Sequence, residues 1–188
     1  MNPTQLLTHF DRISEAPEAV PRLRRFILDL AVRGILVEQD PNEEPVAQSL
    51  RRLQSSDWSS LSVRRPLCDE RPVREDEVPF PVTDGMVLAR LSTIARIEKG
   101  ATGIQSARPG PYPLVTLAEQ RASSAEYQFD AAAAIVPLVS STGHGHASLK
   151  RLHYQEGRFA LGSVLCAVIP IESALISARF IYEYLWAY

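Results

Sequence analysis

The sequence contains few of the residues that mark secreted, membrane or metal-binding proteins. Its 188 residues include two cysteines, Cys68 and Cys166, which are far apart in sequence and fit no zinc spacing. A zinc finger and a disulfide framework are therefore not expected, and a reducing cytoplasm is the natural compartment. No basic-then-apolar signal segment opens the chain, and no window reaches the ~18 uncharged apolar residues of a membrane helix. We expect a cytoplasmic protein without a membrane partner.

The chain also lacks the short motifs of several enzyme classes. It has no Gly-x-x-x-x-Gly-Lys-Ser/Thr phosphate loop, no Gly-x-Gly-x-x-Gly dinucleotide fingerprint and no Gly-x-Ser-x-Gly nucleophile elbow. The sequence therefore gives no positive sign of an enzyme, and we expect none.

The charge is nearly balanced but unevenly distributed. The net charge is −2, with 22% charged and 45% hydrophobic residues, as in an ordinary globular protein. Residues 1–82 carry 11 Lys and Arg against 14 Asp and Glu, whereas residues 83–188 carry 9 against 8. This balance neither supports nor excludes a nucleic-acid partner, since a local basic patch is enough to contact phosphates.

Helical spacing dominates the first third of the chain. A first helix is predicted to begin at Asn2-Pro3, and a stronger one near Pro21 is predicted to stop at Gly34. A third is predicted after the Asp40-x-x-Glu43 capping pattern or at Pro45. The apolar stripe predicted for the second helix is Val20, Leu23, Ile27 and Leu30, with Phe10, Phe26, Ile27 and Leu30 expected to pack between helices.

Beyond these helices the sequence predicts an α+β fold. Residues 1–54 form the helical segment, residues 55–81 read as a linker rich in Ser, Pro and mixed charge, and residues 82–188 form a mixed α/β domain with a β-rich core. The stretches YPLVTL, AIVPLV and RFALGSVLCAVI are strand-like. The final LISARFIYEYLWAY returns to helical spacing, so we expect a C-terminal helix that is cut at its end.

A stretch with three of the four histidines, LVSSTGHGHASLKRLHYQEGRF, raises the question of a metal site. A metal site needs three or four convergent ligands, but Lys150 and Arg151 stand where an acidic ligand would follow His144 and His146. The glycines and hydroxyls instead favour a loop whose amides approach an anionic partner, or a tight turn between two strands.

This loop and two other stretches of the sequence resemble a known family. LVSSTGHGHASLKRLHYQEGRFALGSVLCAVIP and GPYPLVTLAE resemble a target-recognition domain of the DNA specificity (S) subunits of type I restriction–modification enzymes. LRRFILDLAVRGILVEQDPNEEP is similar to the helical segment that precedes this domain in such subunits. Two separate matches in the expected order make the resemblance specific, and together they cover nearly the whole chain apart from the linker.

The resemblance implies a non-catalytic reader of DNA sequence. Such a reader directs a methyltransferase (M) subunit and a restriction (R) subunit to a split target in double-stranded DNA. S-adenosylmethionine, ATP and Mg²⁺ are expected only on those partners, and no cofactor is expected here. Because a full specificity subunit has two recognition domains, this chain is expected to be a fragment, a half-subunit able to form a homodimer, or a remnant.

Two loops are the candidate DNA-binding sites under this resemblance. Hydroxyls, imidazoles and cations in the histidine loop would face DNA, together with polar donors in the loop before Tyr112. Tyr112 and Tyr154 are expected to pack rather than stack on bases. The candidate residues are Ser141, Thr142, His144, His146, Lys150 and Arg151 in the first loop, and Lys99, Thr102, Gln105 and Arg108 in the second.

Two other functions remain open on the sequence. One is a metal-dependent hydrolase built on the loop from His144 to His153. The other is a remnant that docks a methyltransferase subunit without reading DNA.

Overall fold

The chain is an α+β protein, as the sequence predicts. The computed structural model describes residues 3–10, 15, 17–38, 40, 42–55, 73–78, 80–83, 85–139 and 151–187. Its helices are α1 (Pro3–Thr8), α2 (Ala19–Val32), α3 (Val46–Ser55), α4 (Leu91–Ile94) and α5 (Ala178–Ala187), with a 3-10 turn at Glu75–Glu77. Its strands are β1 (Ala95–Lys99), β2 (Tyr112–Val115), β3 (Ala122–Ser124), β4 (Phe129–Asp130), β5 (Ala133–Pro137), β6 (His153–Gln155), β7 (Arg158–Leu161) and β8 (Leu165–Pro170).

The proline, glycine and aspartate patterns that predicted the helix ends lie close to the observed ends. α1 begins at Pro3, and α2 ends at Val32, two residues before Gly34 at φ 67°. Only glycine adopts this left-handed backbone without strain, so Gly34 turns the chain away from the helix. The Asp40 carboxylate accepts the Asn42 amide at 2.9 Å, which forms a turn, and α3 starts after Pro45.

The predicted apolar stripe of α2 is only partly buried. Leu30 is 6% exposed, but Val20 is 76% and Ile27 38% exposed, and Phe10 is 47% exposed. The buried residues of α2 are Ala19, Leu30 and Val32. The prediction that Phe10 and Ile27 pack between helices is therefore wrong for the described chain, whereas Leu30 is buried and Phe26 is half-buried.

The strands form two four-stranded sheets. The first sheet has the order β1-β8-β5-β6, and all its neighbours are antiparallel. The second sheet has the order β3-β2-β7-β4, in which β2 and β7 are parallel. The run RFALGSVLCAVI supplies both β7 and β8, so the turn at Gly162 sends one apolar run into two different sheets.

The core has three layers, with α5, the first sheet and the second sheet stacked in that order. Along β5, Ala133 and Ile135 face the second sheet, whereas Ala134 packs with Val168 and with Ile181 of α5. Because successive strand residues point to opposite faces, a strand buried on both sides reads as an unbroken apolar run. Phe159 and Phe129 stack between the sheets, with ring centroids 5.2 Å apart.

The helical segment packs on the mixed domain. Phe80, near the end of the predicted linker, is 6% exposed beneath the Arg33 guanidinium, and Thr83 of the mixed domain donates a hydrogen bond to the Arg33 carbonyl. In the first half of α2, the Arg24 guanidinium lies 5.7 Å from the Trp186 ring of α5. The boundaries predicted at residues 54 and 81 stay predictions. Within the described residues, no helix combines the length and apolarity that a bilayer crossing requires.

Candidate nucleic-acid interface

The two predicted DNA-facing loops leave the first sheet at the same end. The strand register pairs Lys99 with Cys166 and Cys166 with Val136, so the ends of β1 and β5 lie on one row across the sheet. His153, the first residue of β6, pairs with Ile135 on the same side. Three interstrand spacings of about 4.8 Å place β1 and β6 about 14 Å apart. The described ends of both loops therefore lie at one edge of the domain.

Backbone hydrogen bonds fix the start of the loop that follows β1. The Gly100 amide donates to the Leu165 carbonyl at 2.9 Å, and the Thr102 amide donates to the Leu161 carbonyl at 3.0 Å. The Ser163 amide donates a hydrogen bond to the Thr102 carbonyl at 3.1 Å. The loop is thus attached where the two sheets meet.

Gln128 braces the same loop with its side chain. Its Oε1 accepts the Ala101 amide at 2.8 Å, and its Nε2 donates to the Lys99 carbonyl at 2.9 Å. One side-chain amide therefore satisfies the backbone on both sides of Gly100. Gln128 does not stand out in the sequence, because it lies 29 residues from Lys99 and only the fold brings them together.

The four predicted residues of this loop take different positions. Lys99, Gln105 and Arg108 are exposed and Thr102 is half-buried. Thr102 and Arg108 line a groove of about 570 Å³ that residues 124–128 close from the other side. Lys99 and Gln105 are not among the residues that line it. The loop therefore presents donors around a groove and not one continuous face.

The predicted tyrosines pack against neighbouring side chains. Tyr112 lies 4.9 Å from Tyr127 by ring centroids, and Tyr154 lies 6.1 Å from Tyr182. Both Tyr112 and Tyr154 are half-buried. This agrees with the predicted packing role.

Most of the histidine loop lies outside the described residues. Ser141, Thr142, His144, His146 and Lys150 belong to that part, so their predicted roles stay predictions. Arg151 is described and exposed, next to the buried Leu152 at the end of the loop.

His153 is poorly suited to bind a metal ion. Its Nδ1 lies 3.1 Å from the Arg121 guanidinium. Because a guanidinium only donates, Nδ1 accepts and the ring proton sits on Nε2. Burial, followed by the charge of Arg121, lowers the pKa of His153 below its usual value, with the Thr116 carbonyl opposing this in part. A cation at this distance also repels a metal ion. In the described parts of the chain, no group of three or more His, Cys, Asp or Glu residues is arranged to hold a metal.

Beside His153 lies a second, larger cleft that the sequence did not predict. Its volume is about 810 Å³, and three arginines from separate elements reach it. Arg121 precedes β3, Arg151 precedes β6, and Arg179 lies on α5. No short sequence pattern links residues so far apart. The other side chains of the lining are Leu117, Ala118, Glu119, Leu152, His153, Tyr154, Tyr182 and Trp186.

The chain is similar to specificity subunits of type I restriction enzymes. It is 40% identical over 81 residues to the type I restriction enzyme EcoEI specificity subunit of Escherichia coli, and 38% identical over 81 residues to the EcoAI specificity subunit of the same organism. Each match covers 42% of this chain and 14% of the relative's length. The resemblance predicted from the residues is thus confirmed over that stretch. No family model and no solved structure matches the chain.

Proposed function

We propose that the chain is a DNA sequence-recognition part of a type I restriction–modification system. The observation that carries the proposal is the 40% identity to a type I specificity subunit over 81 residues. In this function the chain is not an enzyme. It reads one part of a split target and directs a methyltransferase subunit and a restriction subunit to it.

The edge of the first sheet would supply the reading surface. Exposed Lys99, Gln105 and Arg108 carry donors suited to purine edges and phosphates. The separation of about 14 Å between β1 and β6 is close to the ~12 Å width of the major groove, so the two loops would contact one groove together. Each bidentate base contact is worth about 1–3 kcal/mol of discrimination.

The proposed partners divide the chemistry among subunits. The methyltransferase subunit would hold S-adenosylmethionine, and the restriction subunit would hold ATP and Mg²⁺. The proposed location is the cytoplasm. If the chain acts as a half-subunit, a homodimer would read a palindromic split target. The mass of the complex with the methyltransferase subunit tests this, since a single copy of the chain contradicts the dimer.

Selection from a random duplex library tests the reading function. The full chain is co-expressed with its methyltransferase subunit, and bound duplexes are sequenced. We expect enrichment of a short motif, either single or symmetrically split. A stable complex that enriches no motif contradicts the proposal and favours a docking role without reading. If no complex forms, metal analysis of the purified chain decides whether the histidine loop holds zinc or manganese instead.

Lysine labelling then locates the surface. The chain has only two lysines, Lys99 and Lys150, and each belongs to one of the two predicted loops. Acetylation is measured by mass spectrometry with the selected duplex, with a scrambled duplex and without DNA. We expect the selected duplex to protect both lysines, with the N-terminal amine as the internal reference. Equal labelling under all three conditions contradicts the assignment of the two loops.

A further inference from the structure

The cleft beside His153 contains an arginine that forms no ion pair with any described residue. Arg121 is half-buried and donates to the Gln155 side chain, the Glu119 and Tyr154 carbonyls and the His153 ring. All four acceptors are neutral. Among the described residues, no carboxylate oxygen lies within 4.0 Å of its guanidinium. Within the described part of the chain, neutral dipoles therefore hold the guanidinium in place and no acid cancels its charge.

The bonds of Arg121 leave room for a ligand. A guanidinium has five N–H donors, and four are occupied by the acceptors above. The remaining donor is on Nη2, which bonds only the Tyr154 carbonyl at 3.2 Å. Four hydrogen bonds already fix the orientation of this arginine. It therefore loses little additional side-chain entropy when it binds an anion.

His153 lines the same cleft and holds Arg121 in place. Its residue surface is 9% exposed, and its Nδ1 accepts from the Arg121 guanidinium. The ring proton therefore sits on Nε2, which is enclosed by the protein on the side of the Thr116 carbonyl. His153 thus orients Arg121 toward the cleft and does not itself offer a donor to a ligand.

The other arginines add charge at the mouth of the cleft. Arg151 is exposed and forms no ion pair with a described carboxylate. Arg179 lies 5.3 Å from the ring centroids of Tyr154 and Tyr182, and Glu183 pairs with it. Glu119 is the acid in the lining. Counting the described residues, three cations face one lining acid and one ion-paired acid, which leaves a net positive charge.

We propose that this cleft binds a phosphate group. Arginine forks match phosphate oxygens, and a desolvated guanidinium attracts an anion more strongly than one in water. The inference rests on the proposed function in one respect, the source of the phosphate. The loop of candidate base contacts ends at Arg151, so the group would be a backbone phosphate of the target duplex beside the bases that this loop reads.

Two measurements separate the cleft from the source of its ligand. In the first, inorganic phosphate is titrated into the full chain against equal ionic strength of chloride, and the His153 ring resonances are followed by NMR. We expect a saturable shift that is lost in the double variant Arg151→Gln, Arg179→Gln. Both changes are at exposed side chains, so the fold is retained. Arg121→Gln is a third variant, used only if it remains folded.

In the second measurement, the affinity of the methyltransferase complex for its selected duplex is recorded against salt. Each phosphate contact adds about 0.9 to the slope of log K against log salt, or about a threefold loss between 50 and 200 mM. We expect the double variant to reduce the slope by about 1. Arg74→Gln is the matched control, because Arg74 is exposed and its charge is already paired with Asp76.

The outcomes are distinct. A reduced slope in the double variant but not in the control supports a backbone phosphate. A phosphate titration that depends on the arginines, with an unchanged slope, supports the cleft and contradicts its DNA source. If neither the titration nor the slope responds, the proposal is wrong. If the complex selects no duplex, the proposed function fails, while the titration still decides whether the cleft binds phosphate.

Discussion

Gly100 lies at a point of the fold where no side chain fits. A Cβ placed on it would come within 2.2 Å of the Gly162 carbonyl oxygen and 2.6 Å of the Leu161 carbonyl oxygen. Both atoms belong to the backbone, so neither can rotate away. Gly100→Ala must therefore move the loop away from the turn between β7 and β8.

The displacement sets the magnitude of the effect. Raising the shorter contact to 3.0 Å requires a shift of about 0.8 Å. That shift would stretch the bonds from Gly100, Thr102 and Ser163, now 2.9 to 3.1 Å, beyond the ~3.2 Å limit of a good hydrogen bond. Three bonds at about 1 kcal/mol each, partly replaced by water, give a loss of about 2–4 kcal/mol. For a chain of this size the melting temperature would fall by roughly 6–12 °C.

Urea unfolding followed by circular dichroism measures the free energy of unfolding, and hydrogen exchange at the Thr102 and Ser163 amides reports the local opening. Gly103→Ala is the matched control in the same loop, since its Cβ meets only the Ser106 side chain, 2.6 Å from Oγ, which can rotate. We expect the control to change stability by less than about 0.5 kcal/mol. Equal effects of the two alanines, or no effect of Gly100→Ala, would refute the steric argument.

Three further predictions follow from single side chains. Phe159→Ala should lower the free energy of unfolding by about 3–5 kcal/mol, because Phe159 is fully buried and stacks on Phe129, and an unchanged urea midpoint would contradict this. The lowered pKa of His153 means that the unfolded chain takes up its proton first as pH falls below about 6.5. His153→Gln should therefore lose less stability than the wild type between pH 7.5 and 5.5, and equal losses would exclude a buried neutral imidazole. Gln128→Leu should speed hydrogen exchange at the Ala101 amide with a stability change below about 1 kcal/mol, because Gln128 is exposed, and unchanged exchange would show that the brace is not needed.

The sequence predicts the strands that consist of an apolar run. It does not predict the strands that form only because an adjacent strand provides backbone hydrogen-bond partners. β2, β5, β7 and β8 coincide with the predicted apolar runs to within one residue. β3, β4 and β6 have the sequences ASS, FD and HYQ, which carry no apolar run or alternation. These strands exist because an adjacent strand offers backbone partners. The local sequence of such a strand does not indicate which strand it pairs with.

The candidate site also contains residues that the sequence predicts and residues that it does not. The loop from Lys99 to Arg108 is recognisable from its polar donors and bounding glycines. Arg121 and Arg179 were not predicted, because they are 58 residues apart and each reads alone as solvated surface charge. Only the packing of α5 on the first sheet brings them to one cleft. Residues that meet through tertiary contact leave no spacing pattern to find.

The attachment of the two loops has a consequence for recognition. The described ends of both loops are tied through main-chain atoms: Gly100 bonds the Leu165 carbonyl, and the Leu138 amide bonds the Val164 carbonyl at 2.8 Å. Apart from Gly100, which must lack a side chain, no loop residue needs a particular side chain for these two bonds. Exposed loop residues such as Gln105 and Arg108 can therefore change without loss of core contacts, since the core lies between the sheets and beneath α5. Under the proposed function, substitutions at these two positions should alter the selected DNA sequence while the free energy of unfolding stays within about 0.5 kcal/mol of wild type. A loss of stability without altered selection would place these side chains in the fold and not in the reading surface.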